Sequence, residues 1–245
     1  MKLVLIGLLG LVSTSVFAKS CFERKYQKKY EKCLRANILN QKKCYKKKDK
    51  WEKKCAKEDS AKQKAAEEKA RFQSVDKEIK AGRIANQSLE IWKDNRPYAW
   101  KSSGAISATN NIKMSGNAAV ISGKGSLSQS GKIDSRKWHG FYLRYRSDSP
   151  LKGNEGLTVK IEVTKNGNKI REYSASGHYP YPKLWEMVSI AMKPELYQSQ
   201  INLTVNWNLP NGKKVYLDDI RILDIGAYEK EENNYRNYLK KEALK

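Results

Sequence analysis

Val215-Tyr216-Leu217-Asp218-Asp219-Ile220-Arg221-Ile222-Leu223 is the stretch on which the fold turns. Val215 and Leu217 alternate with their neighbours as in a strand with one buried face. Ile220 and Ile222 alternate too, but one step out of phase. The break falls at the two aspartates. A carboxylate inside an apolar strand is costly unless its charge is satisfied. One account is a β-bulge or strand end, with the carboxylates in water or accepting backbone N–H groups. The other is a hard cation such as calcium, which takes oxygen ligands. The first account suits Asp218 better, and Asp219 is open to either.

The stretches before this strand carry the same texture. Pro210-Asn211-Gly212 is a turn leading into it. Ile201-Asn202-Leu203-Thr204-Val205-Asn206-Trp207 alternates without a break. Leu157 to Thr164 alternates, Asn166-Gly167 is a tight hairpin signal, and Lys169 to Ser174 is the returning strand. Phe141-Tyr142-Leu143-Arg144-Tyr145-Arg146 alternates aromatic or apolar with polar residues. Many short strands separated by turns predict an antiparallel β-sandwich over residues 86–226. Alternation points Phe141, Leu143, Tyr145, Ile201, Leu203, Val205 and Trp207 inward. It points Tyr142, Arg144 and Arg146 outward, beside Asn202, Thr204 and Asn206.

Several of these motifs resemble, in their order, the carbohydrate-binding modules with a galactose-binding-like jelly roll, the xylan- and glucan-binding families. The closing strand has their apolar-Tyr-apolar-Asp-Asp-apolar form. Asn86-Gln87-Ser88-Leu89-Glu90 is similar to their opening Asn-x-x-Phe-Glu, with Leu89 for Phe. Trp100 stands where they carry Gly-Trp, with Ala99 for the Gly. Gly116 to Gly125, Trp138 to Ser147 and Trp185-Glu186-Met187-Val188-Ser189 follow their strand order, so the resemblance spans roughly residues 86–225. It implies a jelly-roll topology and a structural calcium between Glu90 and Asp219. Against this stands a capped, cation-free pair or neutralisation by a nearby Lys or Arg. The resemblance also implies a glycan lying across an outward sheet face, which makes Tyr142, Arg144, Arg146, Asn202, Thr204 and Asn206 the first site candidates. An ordinary polar outer face is the plainer reading of each. Trp100, Trp138 and Trp185 would be framework residues in the core or at strand edges.

The front of the chain is different. Met1-Lys2, the apolar run Leu3 to Val12 and Val16-Phe17-Ala18 form a signal-peptide pattern over residues 1–18, with cleavage after Ala18. The mature protein is then exported, to the periplasm, the medium or the cell surface. Residues 19–82 are dense in Lys, Glu, Ala and Gln and lack Pro and Gly until Gly82, which predicts helix. All four cysteines lie here, with eleven, ten and ten residues between them. A turn near Asn37 to Asn40 would set Cys33 opposite Cys44 and Cys21 opposite Cys55, so nested disulfides fit a helical hairpin best of the three possible pairings. Its apolar seam is thin: Phe22, Tyr26, Tyr30, Leu34, Ile38, Tyr45 and Trp51. A zinc site is disfavoured because close Cys pairs are missing. Residues 227–245 form a polar tail, helical or frayed, with Tyr228, Tyr235, Tyr238 and Leu239 available to pack on the sandwich.

The formal charge is +23, from 49 Lys+Arg against 26 Asp+Glu. Such an excess favours nucleic acid, anionic lipid or acidic polysaccharide. Export leaves nucleic acid as an unexpected partner. Catalysis has little support: His139 and His178 sit in no triad or metal motif, and the carboxylates show no glycosidase arrangement. Sugar binding needs flat aromatic faces and hydrogen-bonding edges, and the sandwich is rich in both. A second site candidate is the loop Ser176 to Pro182, where Pro180 and Pro182 stiffen Tyr179 and Tyr181. The expectation is an exported, non-catalytic protein. It binds a polysaccharide or envelope glycan, acidic or neutral, and the basic hairpin favours anionic surfaces. An envelope adaptor that binds a protein partner or an anionic membrane is the alternative, and a polysaccharide-active enzyme the third reading.

Overall fold

The computed structural model describes residues 21–113, 116–134, 136–151, 155–177, 182–193 and 199–242. The chain divides into two compact units, Met1–Lys69 and Ala70–Lys245. The signal-peptide pattern and the Tyr179–Tyr181 loop lie outside the described residues.

The first unit is a helical hairpin. Helices α1 (Cys21–Lys25) and α2 (Gln27–Ala36) run against the start of α3 (Lys42–Lys80). The turn between them is tied by Asn37, whose Nδ2 donates to the Cys33 carbonyl at 2.9 Å. The bridges are nested as the spacing implies, Cys21–Cys55 and Cys33–Cys44, with Cα separations of 5.4 and 5.8 Å. Of the described residues before Lys69, only Cys21, Cys44 and Cys55 are buried, so the bridges stand in for a core. The aromatic seam forms around them, with Tyr26 stacked on Trp51 at 5.3 Å and Phe22 edge-on to Tyr30 at 6.2 Å. Ile38 and Leu39 at the tip are exposed.

Helix α3 ends in a Schellman motif. Gly82 takes a left-handed φ of 68°, its N–H bonds Ile79 O at 2.8 Å, and Arg83 N–H bonds Glu78 O at 2.9 Å. The last turns of α3, within the second unit, pack on the segment from Ala85 to Tyr98. Val75 is buried with Ala85 and Ile91, and Phe72 meets Tyr98 edge-on at 5.1 Å.

The second unit is an antiparallel β-sandwich. After the short pair β1 (Trp92–Lys93) and β2 (Arg96–Pro97) come eight strands: β3 (Lys101–Thr109), β4 (Ala118–Ile133), β5 (His139–Ser147), β6 (Gly156–Lys165), β7 (Asn168–Gly177), β8 (Trp185–Met192), β9 (Ser199–Asn208) and β10 (Lys214–Asp224). Their order is β7-β6-β9-β4-β10-β5-β8, with β3 on β4. β4 is the spine. Ala119 to Ser122 pair with β10, and Lys124 to Ile133 pair with β9. β3 runs along β4 through both halves, so β9 and β10 share its other edge. The hand-over at Gly123 splits the strands into two layers that enclose one core. Asn166-Gly167 closes the β6–β7 hairpin with φ of 51° and 81°, the signature of a type I′ turn.

The inward set predicted from alternation is buried throughout: Phe141, Leu143, Tyr145, Ile201, Leu203, Val205 and Trp207. Trp100 and Trp185 are buried as well, whereas Trp138, just before β5, is exposed. β10 carries a bulge between Asp218 and Ile220, and Asp219 there has a φ of 52°. That is the phase break seen in the sequence. The polar tail folds into α4 (Ile225–Glu242), capped by Asp224 Oδ1, which accepts the Ala227 N–H at 3.0 Å.

Candidate functional site: an open polar face and a covered aromatic one

The opening motif and the closing strand meet at the bulge. Gln87 O accepts the Ile220 N–H at 2.7 Å, and Gln87 Oε1 accepts the Ile222 N–H at 2.9 Å. Asn86 is buried and fully used: its Nδ2 donates to Ile91 O and Tyr98 O, and its Oδ1 accepts the Ile91 N–H. Leu89 fills the core position next to it, and the Trp100 indole N–H donates to Asn86 O at 3.2 Å. The motif is a latch across the end of the sandwich.

Glu90 lies beside this latch. Its carboxylate accepts the Asn117 N–H at 2.9 Å and has no Lys or Arg within 4 Å among the described residues. Burial pushes its pKa up, and the like charge of Asp219 adds to that. Gly116 makes room for it, since a Cβ there would fall 1.8–2.0 Å from the carboxylate atoms. A half-buried carboxylate so placed has the donor character a hard cation takes. Asp219 is already engaged. Its Oδ1 accepts from Arg221 at 2.9 and 3.2 Å, and its Oδ2 lies 3.7 Å from Arg144. Among the described residues no group of three or more His, Cys, Asp or Glu gathers as a metal-binding cluster. Glu90 and Asp219 are the carboxylates that a cation here would use, and at Asp219 it would compete with Arg221 and Arg144.

The six sheet residues expected to share one face do not. β5, which carries Tyr142, Arg144 and Arg146, is separated from β9 by β10 and β4. The direction read from alternation holds, since Tyr142 and Arg144 point away from the core. Exposure does not follow, because α4 lies on that layer. Tyr228 packs against Gly140, Arg144 Nη2 bonds Glu231 at 3.0 Å, Tyr235 O–H donates to Glu186 at 3.2 Å, and Tyr238 O–H accepts the Trp185 N–H at 3.3 Å. Tyr142 is 1% exposed, and the Arg144 guanidinium sits 5.5 Å from its ring centroid. Burial pushes the Tyr142 phenol up to about 12. Arg146 is half-buried near Tyr216. Tyr142 and Arg144, an aromatic and a cation suited to sugar rings, are thus under a helix.

The other layer is open. Registered pairing sets its outward residues in rows: Glu172, Glu162, Asn202 and Ser130; then Ser174, Lys160, Thr204, Ser128 and Lys101; then Ser176, Thr158, Asn206, Ser126 and Ser103. Asn202, Thr204 and Asn206 therefore do share a face, with each other and with β4. No aromatic side chain stands in these rows. Ser130 Oγ donates to Asn202 Oδ1 at 2.8 Å, and Lys160 is held by Glu162 and Glu172 at 2.9 and 3.2 Å. At one end of the face is a groove of about 460 Å³, lined by Ile79, Gly82, Arg83, Ala99, Lys101, Ser128, Gln129, Ser130, Asn202, Leu203 and Thr204. Neither Arg83 nor Lys101 has a carboxylate within 4 Å among the described residues, and Ile79 is exposed. Sequence reading missed Ser126, Ser128 and Ser130. Their signal was present, because Ser-Leu-Ser-Gln-Ser alternates with Leu127 inward.

No protein-family model matches the chain, and no curated protein matches it significantly. Solved structures do. The structure of TmCBM61 in complex with β-1,4-galactotriose aligns at 16% identity and a TM-score of 0.41, over 52% of this chain and 89% of that one. The CBM22-1 xylan-binding domain from Paenibacillus barcinonensis Xyn10C aligns at 14% identity and a TM-score of 0.40, over 56% and 91%. The enzymatically active domain of bacteriophage CBA120 tailspike protein 4 aligns at 10% identity and 0.45, over 59% of this chain but 22% of that one. Most of these structural neighbours are carbohydrate-binding modules, aligned over about half the chain.

Proposed function

We propose that this protein is an exported, non-catalytic glycan-binding protein whose sandwich reads a polysaccharide along the open β9–β4 face. The observation that carries the reading is the groove in which Asn202, Thr204, Ser128 and Ser130 converge with Arg83 and Lys101. Amide and hydroxyl groups there match sugar hydroxyls, Ile79 offers an apolar contact, and the two cations favour glycans that bear acidic groups. The volume is within the range of small-ligand sites. Two disulfides agree with an oxidising compartment.

Calcium belongs to the same reading, held by Glu90 and Asp219. It would tie the opening latch to the closing strand, a structural role without chemistry of its own.

The test is binding of the full chain to a panel of neutral and acidic polysaccharides. Replacing Asn202 and Thr204 together by Ala should weaken binding about tenfold, from two or three lost hydrogen bonds. A folded protein that binds nothing in the panel, or binds equally well after that change, would sink the reading.

The adaptor reading has one observation in its favour, the exposed Ile38 and Leu39 at the hairpin tip. A single partner captured from envelope extract, retained after glycan digestion and lost when both become Ser, would support it.

A further inference from the structure

The hairpin has chemistry that the sandwich reading does not use. Tyr26 and Trp51 stack face to face, with ring centroids 5.3 Å apart and planes 10° apart. A cavity of about 560 Å³ beside them is lined by Tyr26, Lys50, Trp51, Lys53, Lys54 and Lys57. No carboxylate is in that lining, and none of the four lysines has one within 4 Å among the described residues. Three other cations of the hairpin are ion-paired: Arg24 with Asp59, Lys25 with Glu58 and Lys48 with Glu52.

Lys50, Lys54 and Lys57 follow i, i+4, i+7 spacing on α3, so they form one stripe, with heads spaced by roughly 6 Å per four-residue step. Like charges at this spacing oppose the helix. An anion lying along the stripe relieves that repulsion. The half-buried aromatic pair adds apolar ring surface at its side. The two rings cover one face of each other, and Lys29 Nζ lies 5.7 Å from the Tyr26 centroid, which leaves the Trp51 indole as the main stacking partner. A ligand that satisfies both has regularly repeating negative charges and an apolar ring face in each repeat. A uronic-acid polysaccharide has this chemistry. Polyphosphate has the charge without the ring face. Single-stranded nucleic acid has both, but the disulfides point to an oxidising compartment.

We infer that Tyr26, Trp51 and the lysine stripe form a second glycan-binding site, selective for uronic-acid polysaccharides. The site is independent of the β9–β4 face.

The experiment uses the full chain and measures affinity for polygalacturonate, its neutral methyl ester, polyphosphate, a dT15 oligonucleotide and vesicles containing phosphatidylglycerol. Changing Lys50, Lys54 and Lys57 to Gln should weaken polygalacturonate binding about tenfold or more, while changing Lys62, Lys64 and Lys69 to Gln should weaken it about twofold. Trp51→Leu should cost polygalacturonate about fivefold to tenfold and polyphosphate less than about twofold, as loss of a stacking face does. Trp51→Tyr keeps a ring and should retain most of the affinity, which separates stacking from misfolding. The Asn202 and Thr204 double change should leave the losses caused by the hairpin variants unaltered in size. Equal losses from both lysine triples, or equal losses of polyphosphate and polygalacturonate with Trp51→Leu, would overturn the proposal. So would tighter binding of dT15 or of vesicles, lost with the same variants.

Discussion

Tyr142 faces away from the core and is still closed off from water. Its phenol, raised to about 12 by burial, stays protonated in the folded protein where the unfolded chain, near 10, would ionise. The folded state therefore holds the proton more tightly. The stabilisation is complete below pH 10 and is lost as pH rises towards 12, by roughly 2–3 kcal/mol. Urea unfolding measured from pH 9 to 11.5 should show this fall in the native protein and a shallower one in Tyr142→Phe. Identical curves would mean that the phenol is not shielded. Glu90 runs in the same direction, in the acid range. Its raised pKa means that the charged form is unfavourable in the folded state, so its ionisation lowers stability as pH rises through the acid range. Glu90→Gln should raise the melting temperature at pH 7 in a calcium-free buffer. Millimolar calcium should then stabilise the native protein and leave Glu90→Gln unmoved. No calcium response from either would remove the cation from the account. At this scale the sequence tells direction and not exposure. Alternation put Tyr142 outside, but only a second element in contact with it decides whether outside means wet.

Among the elements, α4 is the one that decides. Tyr228, Glu231, Tyr235 and Tyr238 recur at i, i+3, i+7 and i+10, one stripe of the helix, and all four touch the β5–β8 layer. Gly140 is the floor under Tyr228. A Cβ there would lie 1.9 Å from the Tyr228 ring. Gly140→Val should therefore displace the helix at a cost of about 1–3 kcal/mol. Limited trypsin digestion should then cut at Lys230 and Arg236 early, with the sandwich intact. Unchanged cleavage would show that the helix is held elsewhere. The stripe was legible only in part, because its members are amphipathic tyrosines and a glutamate in a very polar segment. The hairpin was far easier to read. Four cysteines placed symmetrically about an Asn-bearing turn leave little choice of partner, and the nested pairing came from distance along the chain.

Over the whole molecule, the two units are stabilised by different means. Both disulfides lie in the first unit, closing loops with sequence separations of 34 and 11, and the second holds no cysteine. Loop closure of that length contributes about 4 and about 3 kcal/mol respectively. Dithiothreitol should therefore remove much of the helical circular dichroism at 25 °C while the aromatic near-ultraviolet bands of the sandwich persist. Simultaneous loss of both signals would show that the sandwich needs the bridges. The sandwich as a class was legible from period-two alternation and turn residues. Its layer order was not, because strand partners far apart in sequence leave no local mark. That gap is why the six candidate residues, each pointing the expected way, divide between two faces.

Asp219 gives the bulge a further meaning. Along a strand, facing in or out is a matter of odd or even, and every inserted residue reverses the parity of all those after it. β10 escapes this because one residue is set aside: Asp218 pairs with Arg144 and Ile220 with Leu143, with Asp219 between them outside the count. The strand is an ordinary one with a single extra letter. A chain lacking only Asp219 would keep Ile220 and Ile222 in the core and Arg221 outside. A chain lacking Leu217 would turn that half of the strand inside out. The carboxylate at the latch is thus an addition that the alternation of the strand does not count.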